Sequence, residues 1–224
     1  MTRVNVIVEG RTEVVFVRKV LAEMFWPLGI LLSPTVIGTP GHKGGRTNYE
    51  RVRNDVLNQL KQDERGYCTT MFDFYGLGKG FPRGKGVIPR SGHDRVKQLE
   101  DEWKRDICSA IPDLRPELRF IPHLCLHEFE ALLFSDPLLL AEVTGNDGAG
   151  PDLKKIRDSV PSPEDIDDSP ASAPSKRIAR LIPGYDKIDD GIRAAEKIGL
   201  AKMQEQCPHF RDWINQLKSI TPIP

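Results

Sequence analysis

Apolar residues in this chain gather into short runs separated by longer amphipathic stretches, a pattern that predicts strands alternating with helices. Val4-Asn5-Val6-Ile7-Val8 is a nearly continuous apolar run, which suits a strand buried on both faces of a parallel sheet. Gly10 breaks it. Residues 12–26 then carry Val15, Val20, Leu21 and Met24 among charged neighbours, predicting an amphipathic helix that Trp26-Pro27 ends. Residues 33–37 read as a second strand, and residues 49–60 as a helix with Val52, Val56, Leu57 and Leu60 on one face. Residues 67–72 form a third, strongly β-forming run, residues 94–107 a helix, and residues 119–126 a fourth strand. That strand leads into a helical stripe of Leu126, Phe129, Leu132 and Leu133. Residues 175–181, 188–196, 200–207 and 209–217 predict a string of short helices.

The connections are too long for hairpins, so the expected class is α/β: a Rossmann-like parallel sheet of about four strands with right-handed crossovers, flanked by helices. Residues 1–144 make up this α/β domain. Residues 145–174 turn to Asn, Asp, Gly, Ser and Pro and read as a flexible acidic, proline-rich linker, with residues 153–160 its one helical stretch. Residues 175–224 are expected as a small C-terminal helical extension packing on the α/β domain.

The composition, 39% hydrophobic and 29% charged over 224 residues, fits a water-soluble globular chain with room for a sizeable core. The formal net charge is zero, so any attraction to nucleic acid must come from a local patch rather than a whole-molecule field. Cys68, Cys108, Cys125 and Cys207 are widely spaced and form no C-x-x-C pair, which predicts neither a zinc knuckle nor a disulfide framework. No basic-then-apolar leader precedes the first strand and no apolar run approaches membrane-spanning length, so a reduced cytoplasmic setting is expected.

The candidate chemistry lies where the strands end. Glu9 closes the first strand, Asp73 the third, and His127-Glu128-Phe129-Glu130 follows the fourth. In a parallel sheet these ends share one edge, where open α/β sheets keep their ligand crevices. Converging carboxylates repel by roughly 4 kcal/mol per pair at 4 Å and an effective dielectric near 20, so such a trio calls for protons or a cation. Hard oxygen donors suit Mg²⁺ or Mn²⁺, and a divalent ion there most naturally meets phosphate. Glu9, Asp73 and Glu128 are the expected metal ligands, with Glu13 supporting them from one helical turn in. His127 or Glu130 is the candidate for proton transfer. Glu128 and Glu130 flank opposite sides of the apolar stripe, so on a regular helix only one of them can face the ion. Glu130 would otherwise pair with a basic residue.

Residues 76–92 hold six glycines, the basic residues Lys79, Arg83, Lys85 and Arg90, and no acids. Gly80-Phe81-Pro82-Arg83-Gly84-Lys85-Gly86 is one residue short of a P-loop and lacks its Ser or Thr, which argues against an NTPase. A basic loop beside an acidic metal site suits a clamp on a phosphate backbone, with Lys79, Arg83 and Lys85 as its grips. His42, Lys43 and Arg46 in a second glycine-rich turn carry a weaker signal of the same kind.

Several motifs together resemble a family of unknown function, DUF4276, grouped with the Toprim-like proteins. The matching pieces are Val8-Glu9-Gly10-Arg11-Thr12-Glu13, Thr70-Met71-Phe72-Asp73-Phe74-Tyr75-Gly76-Leu77, the run from Leu126 to Phe134, and Ala173-Pro174-Ser175-Lys176-Arg177. Pro183-Gly184-Tyr185-Asp186-Lys187 and Cys207-Pro208-His209-Phe210 extend the likeness over nearly the whole chain. Toprim proteins include topoisomerases, primases and nucleases in which a strand-end glutamate and an Asp-x-Asp pair bind magnesium. The resemblance carries the glutamate role to Glu9 and the first aspartate role to Asp73. Tyr75 stands where the second aspartate belongs, leaving Glu128 or Glu130 to supply the missing oxygen. The likeness implies a Mg²⁺-dependent phosphodiesterase or nuclease acting on DNA or RNA. It also implies a bacterial phage-defence context beside an ATPase, and the departure at Tyr75 admits a catalytically silent partner subunit of that ATPase.

Overall fold

A computed structural model describes residues 1–38, 48–74, 77, 80–81, 92–166 and 172–223. It is an α/β structure with a parallel sheet flanked by helices. Strand β1 (Thr2–Val8) lies centrally between β2 (Ile30–Val36) and β3 (Tyr67–Asp73), and β3 pairs in turn with β4 (Phe120–Ile121) and β5 (Leu124–Cys125). Each of these pairings is parallel, with Val8 opposite both Val36 and Met71, and Asp73 opposite Cys125. The carboxyl ends of β1, β3 and β5 therefore face one edge.

The expected fourth strand is two short pieces. Pro122 has no N–H to give to a ladder, and at this gap the Thr70 side chain takes over the pairing. Its Oγ1 accepts from His123 N and donates to His123 O, both at 2.9 Å. Past β5 the chain forms a 3₁₀ helix, Phe129–Ser135, in place of the α-helical stripe expected from Leu126 onward.

Side-chain alternation along the strands sorts the core into two layers. Val4, Val6 and Val8 of β1 and Tyr67 and Met71 of β3 pack with α1 (Arg11–Phe16), α2 (Ala22–Phe25), α9 (Asp189–Gln206) and α10 (Pro208–Lys218). Ile7, Cys68 and Phe72 pack on the other face with α3 (Tyr49–Gln62) and α4 (Gly92–Ala110). Phe81, from the basic glycine-rich stretch, is buried there against Tyr49 and Trp103, with ring centroids 5.0 and 5.7 Å apart. Lys79, Arg83 and Lys85, like Tyr75 and residues 42, 43 and 46, lie outside the described residues.

Buried Arg119, the last residue of α5 (Pro116–Arg119), closes the far end of this second layer. Its guanidinium donates to the carbonyls of Leu60, Gly66 and Leu114 at 2.9–3.0 Å and to that of Asp63, meeting the carbonyls that the C-terminus of α3 leaves without helical partners.

The expectation of a flexible linker over 145–174 gives way to packed structure across much of its length. Helix α6 (Pro137–Val143) is followed by α7 (Gly150–Asp158) and a 3₁₀ turn, Pro163–Asp165. Leu153 and Ile166 reach the core, and Glu164 is buried with both carboxylate oxygens accepting backbone N–H groups at the start of α10 (His209 N and Phe210 N, 2.9 Å each). The acidic residues that read as solvating thus include a helix cap. Residues 167–171 lie outside the described residues. The C-terminal helices complete the first core layer: Trp213 Nε1 donates to Thr69 Oγ1 in β3 at 2.8 Å, and Tyr67 Oη donates to the carbonyl of Thr221 at 2.9 Å. The two helices expected at 188–196 and 200–207 are the two halves of α9, separated where Gly199, at φ 78°, ψ 151°, leaves the helical backbone.

Candidate functional site

Asp73 is the last residue of β3, and it shares strand parity with Thr69 and Met71. Its side chain therefore falls on the face covered by the C-terminal helices. Glu9 follows the last residue of β1 on the adjoining strand, and Glu128 and Glu130 come off the end of β5. The charges of Glu9, Glu13, Glu128 and Glu130 all act on Asp73, so carboxylates from three strand ends lie along one edge of the parallel sheet, near enough to feel one another. The irregular backbone leaves both Glu128 and Glu130 near enough for their charges to act on Asp73. Glu128 is in extended conformation (φ −126°, ψ 162°) just ahead of the 3₁₀ helix, and the opposite-sides argument that holds on a regular helix does not apply.

Each acid is also held by its surroundings. Glu13, in the first turn of α1, lies near the backbone N–H groups of Gly10 and of its own residue, which favour its charged form. Glu128 Oε2 accepts from Ser175 N at 3.0 Å, in the first turn of α8 (Pro174–Leu181), and so caps a helix from another segment. Ser175 is buried, and Arg177 Nε turns back to the carbonyl of Ser172 at 2.6 Å. Glu130, buried to 1% exposure, meets Lys187 Nζ at 2.8 Å, so it does pair with a basic residue. His127 is half-buried and, with Glu128, lines a small cavity with room for about one water.

Burial and then the four neighbouring carboxylates push the Asp73 carboxyl well above its usual range. Burial also raises Glu13 and Glu130, against the pull of backbone N–H groups in the first and of Lys187 in the second. Lys187 is itself raised: burial works against its charge, but Glu130, Glu128 and Asp73 outweigh it. Both partners of the Glu130–Lys187 pair shift upward because burial outweighs the pull of the ammonium at the carboxylate, whereas at the ammonium the surrounding carboxylates together outweigh burial. The site carries more negative charge than Lys187 neutralises. Burial, then Glu130, also raises the Tyr185 hydroxyl, which has no hydrogen-bond partner among the described residues.

A family model for a domain of unknown function, DUF4276, matches residues 8–218. The chain belongs to this family. Comparison with curated proteins and with solved structures gives no match. The DUF4276 match opens one residue before Glu9 and closes at the last residue of α10, so all five carboxylates and Lys187 fall within it.

The structure adds to this DUF4276 chain residues that the sequence pattern did not single out. Lys187 and Tyr185 lie in a matching block, but nothing in the spacing places them beside strand ends more than 50 residues away. A second polar cluster, of Glu100, His123 and His209, has no signature in the sequence either. Glu100 Oε1 accepts from Leu124 N at 2.8 Å and lies 3.0 Å from His209 Nε2 and 3.8 Å from His123 Nδ1. The three potential ligand atoms are within 4.8 Å of one another, a grouping that can hold a metal ion. No helix among the described residues is long and apolar enough to cross a membrane.

Proposed function

We propose that the protein is a divalent-metal-dependent phosphodiesterase or nuclease of Toprim-like type, acting on DNA or RNA. What supports this reading is that Glu9, Asp73 and Glu128 come from three parallel strand ends on one edge of the sheet, with their charges acting on one another at Asp73. The donor set fits Mg²⁺ or Mn²⁺: it is all oxygen, it is partly desolvated, and its charge excess pushes Asp73 toward holding a proton. When bound, such an ion polarises a phosphoryl oxygen and stabilises charge building on the displaced group.

In this reading Glu9, Asp73 and Glu128 hold the ion, and the backbone N–H of Ser175 positions Glu128. Lys187 offers the phosphate a cation on the same side, released from Glu130 as the anionic substrate arrives. Glu130 and His127 are the proton-transfer candidates, and Lys79, Arg83 and Lys85 are the proposed grips on the backbone. The resemblance adds a setting in phage defence, in the cytoplasm, beside an ATPase.

The test is incubation of the pure protein with end-labelled DNA and RNA in Mg²⁺ or Mn²⁺, with Glu9→Gln and Asp73→Asn as controls. Metal-dependent cleavage lost in both variants supports the proposal, and equal cleavage by wild type and Glu9→Gln removes the site assignment. The second reading is a catalytically silent partner subunit of an ATPase, favoured by Tyr75 in place of an acid and by Lys187 supplying Glu130 with a resident counter-ion. It expects no Mn²⁺ binding by calorimetry and a stable complex with the ATPase.

A further inference from the structure

The cluster of Glu100, His123 and His209 differs from the acidic site in both chemistry and place. Its ligand atoms are two imidazole nitrogens and one carboxylate oxygen, delivered by α4, by the β4–β5 connection and by the first turn of α10. We propose that these three residues form a binding site for one first-row transition dication of the zinc class, which ties α10 to the sheet behind the acidic site.

Donor type and spacing carry the inference. Two histidines and a carboxylate are a set that zinc and its neighbours prefer and that magnesium does not. Ligand bonds of about 2.0–2.1 Å in a tetrahedron put ligand atoms about 3.3–3.5 Å apart. The separations here, 3.0 Å from His209 Nε2 to Glu100 Oε1 and 3.8 Å from His123 Nδ1 to the same oxygen, bracket that value.

The supporting contacts are of the kind that orient metal ligands. The amide of Leu124 fixes Glu100, and the Glu164 carboxylate holds the backbone of His209. The His123 ring stacks on Trp213 with centroids 4.2 Å apart and planes 6° from parallel. His123 is 2% exposed, so its ring is held in place from all sides.

One adjustment is required. The His123 and His209 rings lie 25° from parallel with centroids 5.0 Å apart, so the lone pairs do not yet meet. His209, 12% exposed, is the freer ring, and a turn about its broad terminal torsion brings Nε2 toward the shared point.

Stripping the full chain with chelator and titrating it with Co²⁺, then Zn²⁺, tests the proposal. The expected result is one equivalent of Co²⁺ retained through gel filtration, with the visible absorption of a four- or five-coordinate nitrogen-ligated ion, displaced by Zn²⁺. Bound Co²⁺ also quenches the fluorescence of the stacked Trp213. Affinity falls more than about tenfold in His209→Gln and in Glu100→Gln. Asp73→Asn retains the ion, which separates this site from the proposed Mg²⁺ site and lets either fail without the other. A wild-type protein that retains no Co²⁺ or Zn²⁺, or equal retention in a folded Glu100→Gln, overturns the proposal. If neither ligand variant folds, the decision rests on wild type: unquenched Trp213 in the presence of excess Co²⁺ overturns it, and quenching reversed by Zn²⁺ supports it.

Discussion

Lys187→Met isolates the electrostatics of the acidic site without assuming any metal. At the observed 2.8 Å, the attraction between Lys187 and Glu130 is about 6 kcal/mol gross at an effective dielectric near 20. Solvent reduces this, because the Lys187 side chain is 49% exposed. The carboxylate left behind also limits the loss by taking up a proton. The expected net destabilisation is about 2–3 kcal/mol near pH 8.

The pH dependence has a definite sign. Folding raises the pKa of Glu130, and losing Lys187 raises it further. A group raised on folding contributes its stability below the unfolded pKa and loses it as pH rises through the folded one. The gap between wild type and variant is therefore small near about pH 5 and full near about pH 8. Urea denaturation in chelator at both pH values measures it, with Glu130→Gln as the second arm of a double-mutant cycle. In the Glu130→Gln background, Lys187→Met is expected to cost less than about 1 kcal/mol, because no buried charge is left unpaired. An equal cost in both backgrounds would refute the view that Lys187 is there to neutralise this cluster.

Three further outcomes follow from the same geometry. Asp73→Asn removes the carboxyl that feels four others, so in chelator near pH 8 it is expected to stabilise the fold by about 1–2 kcal/mol, read as a raised urea midpoint. Arg119→Met strands the carbonyls at the end of α3, and a loss of about 3–4 kcal/mol is expected by the same measurement. Gly199→Ala meets no side chain or backbone within 4 Å, so its expected cost of about 1–2 kcal/mol comes from the positive φ alone and appears as a lower thermal midpoint.

The apolar runs made the sheet legible, because strands buried on both faces must be apolar almost throughout. Val4 to Val8 and Tyr67 to Phe72 announce themselves, and from parallel pairing it follows that Glu9 and Asp73 share an edge. The strand break at Pro122 left a trace in the proline, but its repair by Thr70 depends on a side chain 53 positions from His123 and has no local signature. The linker expectation fails for a related reason. Asn, Asp, Ser and Pro signal solvated chain by composition, yet Glu164 is buried because the N-terminus of α10 presents N–H groups that need an acceptor.

Sequence by itself therefore determined the fold class and which acids stand at strand ends, since both follow from local periodicity and chain direction. Tertiary structure alone decided that Glu130 has a counter-ion, that Glu128 caps α8, and that Glu100, His123 and His209 meet at all. Those contacts join segments from tens to more than a hundred residues apart, and only the closing of the C-terminal helices over the sheet brings them within hydrogen-bonding range.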